Sequence, residues 1–111
     1  MTLDQMFKQL IKNTQQRSIL KGRDFDITIH DLNTLWEQQS GLCALTGFNM
    51  DTQTGSQYKV SIDRIHSNKG YTADNIQLVC RLTNRAKSDM INEDFIRMCT
   101  AVANQAKKTL N

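Results

Sequence analysis

Three side chains of different chemistry stand together near the middle of the sequence, in the tetrapeptide Asp63-Arg64-Ile65-His66. The guanidinium of Arg64 stays protonated at any useful pH, so it cannot take a proton from water, but it can bind a phosphate bidentately. The imidazole of His66 can act as a base, and it projects to the same side as Arg64 if the preceding strand continues. The alternative is that His66 is an ordinary surface histidine in a loop.

Basic residues are frequent in the same part of the chain. The sequence has 14 Lys and Arg against 11 Asp and Glu, and its net charge of +3 permits a nucleic-acid partner without requiring one. Lys69, Arg81, Arg85 and Lys87 lie in this segment, along with Arg64.

A first helix is predicted at the start of the chain. Thr2 can cap it, apolar residues recur at helical spacing from Leu3 to Ile11, and the helix should end before Gly22. A basic cluster lies near its C-terminal end, at Arg17, Lys21 and Arg23. The helix dipole favours cations there, so a solvated helix end explains the cluster, and a DNA contact is the alternative.

A second helix is predicted after a short extended stretch at residues 25–29. Thr28 and Asp31 approximate a capping box at its start, and Gly41 is its predicted end. Trp36 falls on the apolar face, where aromatic burial is the expected role and stacking on a base is the alternative.

The character of the sequence changes after residue 41. A polar loop at residues 51–57 is followed by a predicted strand at residues 58–62 that delivers Asp63 at its end, and the segment after Asn75 passes from a strand into a helix. A last helix, capped by Asn92, is expected to pack on the core, and a dimer face that includes Met98 and Val102 is the alternative. Its apolar face comprises Phe95, Met98, Cys99, Val102 and Ala106.

The length of 111 residues predicts one domain, with a helical N-terminal part (1–40), a central core (41–90) and a C-terminal helix (91–111). There is no apolar run long enough for a transmembrane helix and no signal-peptide pattern, so we expect a cytoplasmic protein without a membrane partner. The odd count of three cysteines does not suggest disulfides, and Cys99 is expected to be buried.

Three segments in order resemble the HNH (ββα-metal, or His-metal finger) endonuclease family, in particular the short proteins of that type in phage genomes. They are the knuckle GLCALTG at residues 41–47, SIDRI at 61–65, and NIQLVCRLTNRAKSD at 75–89. The tail of the last segment, NRAKSD at residues 84–89, also looks like the corresponding stretch in the HNH domains of CRISPR effector nucleases. The resemblance implies an α+β fold, with a small ββα-metal core of a β-hairpin plus a helix, flanked by N-terminal helices and a C-terminal helix.

The resemblance also implies a function and a set of site residues. The expected activity is that of a DNA endonuclease or nickase, a hydrolase that cuts phosphodiester bonds of double-stranded DNA with one Mg²⁺ or Mn²⁺ ion. Asp63 and Asn84 would be the metal ligands, and Asn75 would brace the loop between hairpin and helix. His66 would be the catalytic base and Arg64 would bind the phosphate, as in the similar D-R-G-H signature of non-specific ββα-metal nucleases.

Two departures from the family pattern affect these expectations. Arg64 stands where the family places its catalytic His, so the usual base is missing from its position. The knuckles read Cys43-x-x-Thr46 and Cys80-x-x-Thr83 in place of two C-x-x-C pairs, and two thiolates with two hydroxyls make a poor tetrahedral zinc site. No structural zinc is therefore expected. The residues expected to fill the core in its place are Leu42, Leu45, Leu78, Val79 and Leu82.

Two other functions compete with the nuclease. One is a catalytically silent module of the same fold that binds DNA without cutting it. The residues expected to contact DNA are Arg64, Lys69, Arg81, Arg85 and Lys87. The other is a phage-type protein that reuses the fold to bind and inhibit a host enzyme or defence complex, in the host cytoplasm. The sequence specificity and the oligomeric state have no signature in this sequence.

Overall fold

The structure is a computed structural model that describes residues 1–110. The helices within them are α1 (Leu3–Leu20), α2 (Ile29–Gln38), α3 (Arg81–Lys87) and α4 (Asn92–Leu110). The strands are β1 (Phe25–Asp26), β2 (Val60–Arg64), β3 (Tyr71–Thr72) and β4 (Ile76–Cys80). The predicted α+β class is confirmed. None of these helices has the length and apolarity that crossing a membrane would require.

Side-chain caps define the start of the two N-terminal helices. The Thr2 hydroxyl accepts a hydrogen bond from the Gln5 N–H at 3.2 Å, and the Gln5 side chain accepts one from the Thr2 N–H at 2.9 Å. Thr28 and Asp31 form the same reciprocal box at the start of α2. Since each box satisfies two backbone donors that a helix leaves free, both predicted helix starts are confirmed.

The centre of the fold is an antiparallel pair of strands followed directly by a helix. β2 pairs with β4 over its whole length, from Val60↔Cys80 to Arg64↔Ile76, and α3 begins at the residue after β4. The pairing carries β2 through Arg64, two residues beyond the predicted strand end. The two strands are joined by residues 65–75, which include β3 and a single 3₁₀ turn.

A short parallel pair ties the N-terminal part of the chain to that connection. β1 pairs with β3 in the register Phe25↔Tyr71 and Asp26↔Thr72. At Gly70, an added Cβ would lie 2.5 Å from the Asp24 carbonyl oxygen, so the close approach requires glycine. The extended stretch predicted at residues 25–29 is confirmed for its first two residues, and its parallel partner was not predicted.

The core lies between the N-terminal helices and the β2–β4 pair. Phe7 of α1 is fully buried and meets Trp36 edge-on, with ring centroids 6.2 Å apart, which agrees with the packing role expected for Trp36. Cys43 and Cys80 are buried as small core residues. Leu82, predicted to fill the core, is 41% exposed, because it lies on the outer face of α3.

The prediction that α4 packs on the core is wrong beyond its first turn. Phe95 is buried, but every residue from Ile96 to Leu110 is exposed, including Cys99, which was expected to be buried. Phe95 anchors the start of the helix in the core. The apolar side chains that follow it along the helix are exposed to solvent instead of packing on the core.

Candidate functional site

A basic cleft of about 200 Å³ separates the end of α1 from the β2–β4–α3 unit. One wall carries three cationic side chains, Arg17, Lys21 and Arg23, and the other carries Asp63 and Asn84. The remaining lining residues are Ile62, Arg64, Tyr71, Ser88 and Asp89. The cleft therefore holds both predicted metal ligands and a concentration of positive charge suited to phosphate.

Asp63 lies on β2 with its side chain only 6% exposed. Its Oδ2 atom accepts hydrogen bonds from Lys87 Nζ at 2.6 Å and from Gln77 Nε2 at 2.9 Å. Lys87 Nζ also donates to the Arg64 carbonyl oxygen at 2.7 Å. A buried carboxylate is thus paired with a buried ammonium, and both of these hydrogen bonds are accepted by Oδ2 rather than Oδ1.

The side chain of Arg64 is buried rather than exposed to solvent. Its guanidinium donates to the carbonyl oxygens of Ser67 and Lys69, the latter at 3.0 Å, and lies over the ring of Tyr71, 5.4 Å from its centroid. A weak ion pair of 4.0 Å joins it to the exposed carboxylate of Asp89. Arg64 therefore shapes the connection at residues 65–75 as well as contributing charge to the cleft.

Asn84 lies on α3 and lines the same cleft as Asp63. Its Nδ2 donates to the Ser61 hydroxyl at 2.6 Å, which turns the amide so that its carbonyl oxygen remains available as a ligand. Asp63 and Asn84 come from different elements, and the pairing of β2 with β4 brings them to the same cleft.

His66 is exposed and is not among the residues that line the cleft. The expectation that it shares a side with Arg64 required the strand to continue, whereas β2 ends at Arg64. Asn75, buried at 3% exposure, holds the His66 backbone: its Oδ1 accepts from the His66 N–H at 3.0 Å, and its Nδ2 donates to the carbonyl oxygens of His66 and Gly70. Asn75 thus sits where the predicted loop brace would act.

The predicted DNA-contacting residues divide into exposed and buried groups. Arg81, Arg85 and Lys69 are exposed, and Lys69 lines a second groove of about 510 Å³ beside the cleft. Lys87 is only 1% exposed, so its predicted place on a DNA-binding surface is wrong. Its ammonium is buried because it forms an ion pair with the buried carboxylate of Asp63.

The two knuckles come into contact around the Cys43 thiol. The Thr83 hydroxyl lies 3.0 Å from Cys80 Sγ and 3.6 Å from Cys43 Sγ. Burial raises the pKa of the Cys43 thiol, but hydrogen bonds from the Thr46 side chain, the Cys80 and Leu45 backbone and the Thr83 side chain outweigh it and lower the pKa to about 7 from 9.0. Hydrogen bonds between thiols and hydroxyls therefore join the two knuckles.

Sequence reasoning missed part of the cleft. The basic cluster of Arg17, Lys21 and Arg23 is visible in the sequence, but no sequence pattern predicts that it lines the same cleft as Asp63. Asp89, whose side chain is 86% exposed, was also missed, although its place two residues after Lys87 at the end of α3 was a usable signal.

Within residues 1–110, no three or more His, Cys, Asp or Glu side chains gather as a metal-binding group. Asp63 and Asn84 together provide two hard oxygen donors. Mg²⁺ is commonly bound through one or two carboxylates and completes its shell with water and substrate phosphates, so this donor set fits such an ion.

Comparison with known proteins finds similarity to a viral protein. The chain is 34% identical over 90 residues to "Uncharacterized protein R423" of Acanthamoeba polyphaga mimivirus, an alignment that covers 81% of this chain and 16% of that protein. No family model matches the chain. No solved structure matches it significantly.

Proposed function

We propose that this chain is an HNH-like ββα module that binds the phosphate backbone of DNA in the basic cleft and hydrolyses phosphodiester bonds there with Mg²⁺ or Mn²⁺. The observation that carries the proposal is the composition of the cleft, in which Asp63 and Asn84 face Arg17, Lys21 and Arg23. Two oxygen ligands and a cluster of cations in one cleft are the features that phosphodiester hydrolysis uses.

Residues next to the cleft orient the side chains of its two oxygen ligands, Asp63 and Asn84, through hydrogen bonds. Lys87 and Gln77 hold Oδ2 of Asp63, so that Oδ1 is left for a cation, and Ser61 fixes the amide of Asn84. A divalent ion held by these oxygens would neutralise the negative charge that develops on the phosphate.

The cationic wall attracts and orients the substrate. Arg17, Lys21 and Arg23 each offer charged donors to phosphate oxygens, and guanidinium groups do so bidentately. Contacts to phosphate position a duplex without reading its sequence, so we expect binding with little sequence preference.

The proton acceptor in this proposal differs from the one expected from the sequence. His66 lies outside the cleft, whereas Asp89 lines it with a carboxylate that solvent reaches. A carboxylate can take a proton from an attacking water when it lies within hydrogen-bond reach of it. We therefore assign the base role to Asp89, with His66 as the alternative that the test must exclude.

A second candidate function is a DNA-binding module that does not cut. The ion pair between Lys87 and Asp63 favours it, because an ammonium 2.6 Å from the carboxylate already supplies positive charge at the predicted metal ligand. The basic wall would serve this function equally well.

A plasmid-nicking assay with Mg²⁺, Mn²⁺ or chelator tests the catalytic part. We expect cutting by the wild type with either ion, loss in Asn84→Ala and Asp89→Asn, and retention in His66→Ala. No cutting by the wild type under any divalent ion would exclude the nuclease, and loss in His66→Ala alone would reassign the base.

A gel-shift titration over a range of salt concentrations tests the binding part. The double variant Arg17→Ala/Lys21→Ala should lower affinity and reduce the slope of log K against log salt by about 2, roughly one unit per lost phosphate contact. The matched control is Lys8→Ala/Lys12→Ala, which removes the same charge from exposed positions nearer the start of α1. Equal affinities for the two double variants would exclude the cleft as the DNA site.

A further inference from the structure

The groove of about 510 Å³ that Lys69 lines adjoins the basic cleft, because Arg23 and Arg64 line both spaces. One wall is the turn that follows α1, at residues 22–24, and the other is the start of the connection between β2 and β4, at residues 67–70. A molecule held in the cleft can therefore extend past the two arginines into this groove.

The two walls of the groove are held together by backbone contacts. The Tyr71 N–H donates to the Asp24 carbonyl oxygen at 2.8 Å, and Gly70 lies so close that an added Cβ would be 2.5 Å from the same oxygen. The Arg23 N–H donates to the Ser18 carbonyl oxygen of α1 at 2.9 Å. The groove is thus formed before a ligand arrives, and a preformed site loses less conformational entropy on binding.

The groove carries an excess of positive charge. Three cationic side chains line it against one carboxylate, that of Asp24. The three are Arg23, Arg64 and Lys69. Since Lys69 is exposed, its ammonium is free to contact an anion that enters the groove. The expected ligand is therefore negatively charged.

Arg64 neutralises carbonyl groups that would otherwise repel an anion from this groove. Its guanidinium donates to the carbonyl oxygens of Ser67 and Lys69, which carry partial negative charge. Because Arg64 is only 8% exposed, its charge is screened by solvent less than that of a surface arginine. The turn at residues 67–70 therefore adds positive rather than negative potential to the groove.

The lining of the groove is polar throughout. Apart from the charged residues it consists of Ser67, Asn68, Thr72 and two glycines, with no aromatic or aliphatic side chain among them. Unpaired bases bind by stacking on aromatic side chains, whereas phosphates bind to cations and to hydroxyl and amide donors. The groove thus has the chemistry of a subsite for the sugar–phosphate backbone and not for a base.

We propose that this groove is a second phosphate subsite, which binds the DNA strand held in the cleft at a phosphate beyond the one that is cut. The inference rests on the proposed function, since it takes the cleft as the place of the scissile phosphate. Lys69 is the direct contact to the second phosphate, and Arg23 serves both subsites. Because two phosphates of one strand are covalently joined, the second contact forms intramolecularly once the first is made, and the two subsites together bind more tightly than either alone.

Gel-shift titrations of a short DNA duplex over a range of salt concentrations test the role of Lys69. We expect Lys69→Ala to weaken binding about tenfold, the value of one charge-assisted hydrogen bond, and to reduce the slope of log K against log salt by about 1. The matched control is Lys107→Ala, which removes an exposed lysine that lines neither space and should bind as the wild type does. Equal affinities of these two variants would overturn the proposal.

Removal of the carboxylate from the groove gives a test in which a variant gains affinity. Asp24→Asn should bind the duplex up to about fivefold more tightly, the value of an exposed ionic contact, because it removes the negative charge beside the second phosphate. Asp26→Asn removes the same charge from an exposed position outside the groove and should leave the affinity unchanged. A misfolded variant cannot gain affinity, so the result does not depend on stability, and equal affinities of these two variants would contradict the subsite.

The same measurements separate this proposal from the proposed function. Loss of affinity in Arg17→Ala/Lys21→Ala, without any effect of Lys69→Ala or Asp24→Asn, would leave DNA in the cleft and exclude the second subsite. Unchanged affinity in all of these variants would exclude both. An NMR titration with inorganic phosphate distinguishes a free anion from the DNA backbone. Shifts of the Lys69 and Gly70 amide resonances, with a DNA affinity that does not depend on Lys69, would overturn the proposal in favour of free phosphate.

Discussion

Nζ of Lys87 lies 2.6 Å from Oδ2 of Asp63, and both side chains are almost completely buried. The pair joins the last turn of α3 to the end of β2, and Gln77 of β4 donates to the same carboxylate oxygen. The Asp63 carboxylate on β2 is thus bonded to side chains from both other elements of the ββα unit. It also fixes the predicted metal ligand in place, so its loss should affect stability and the site together.

We predict that Lys87→Met lowers the free energy of unfolding by about 3–5 kcal/mol, since it leaves a buried carboxylate without its counter-charge. Urea denaturation followed by circular dichroism measures the change. Arg85→Met is the matched control, because Arg85 is exposed on the same helix, and it should alter stability by less than about 0.5 kcal/mol. Similar losses in both variants would contradict a special role for the buried pair.

We predict that Asn75→Ala destabilises the connection between β2 and β4. The substitution removes three hydrogen bonds to the backbone of His66 and Gly70, and leaving buried groups unsatisfied costs about 1–3 kcal/mol each. Amide hydrogen exchange of the His66 N–H should accelerate. Asn68→Ala, an exposed change in the same connection, serves as the control, and unchanged exchange in Asn75→Ala would show that the backbone does not depend on this side chain.

We predict that stability rises with pH because of Cys43. Its pKa is about 7 in the folded protein against an ordinary 9.0, so the folded state binds the thiol proton less tightly than the unfolded chain does. The stabilisation is complete above the unfolded pKa and is lost as the pH falls through about 7. Between these values the free energy of unfolding should increase by on the order of 2 kcal/mol.

The measurement for Cys43 is urea denaturation at several pH values. Cys43→Ala should flatten the rise, whereas Cys99→Ala, which changes an exposed thiol, should keep it. A slope that survives Cys43→Ala would assign the pH dependence to other groups.

We predict that Thr46→Cys/Thr83→Cys creates a zinc site. Thr83 Oγ1 already lies 3.0 Å and 3.6 Å from the two sulfurs, close to the separation of about 3.8 Å between thiolates in a tetrahedral site with 2.3 Å zinc–sulfur bonds. The double variant should bind one Zn²⁺ and unfold at a higher temperature with it. The single variant Thr46→Cys should bind more weakly, and no binding by the double variant would show that the four positions do not form a tetrahedron.

Local features of the sequence predicted the local structure well. Thr2 and Thr28 cap the first two helices as expected, and the change from strand to helix falls at Cys80, because capping and periodicity act over only a few residues. The cleft, in contrast, could not be predicted, because it is formed by contacts between segments that are distant in the sequence. β1 and β3 are too short and too far apart in sequence for their pairing to be foreseen.

The buried lysine and the exposed helix were missed for a related reason. Periodicity identifies an apolar face of α4 without saying whether the core reaches it, and Leu110 lies far beyond the turn that Phe95 anchors. Lys87 was assigned to the surface because lysine is rarely buried unless it is paired, and its partner, Asp63, lies on another element.

The close contact at Gly70 has a consequence for how this fold can be divided. Because β1 pairs with the connection between β2 and β4, both walls of the cleft belong to one fold rather than to a core with a detachable extension. A fragment that starts at Gly41 would retain every residue of the HNH-like pattern and lose Arg17, Lys21 and Arg23. A ββα unit that is transferred to another protein would therefore need the first forty residues as well, since they complete the cleft.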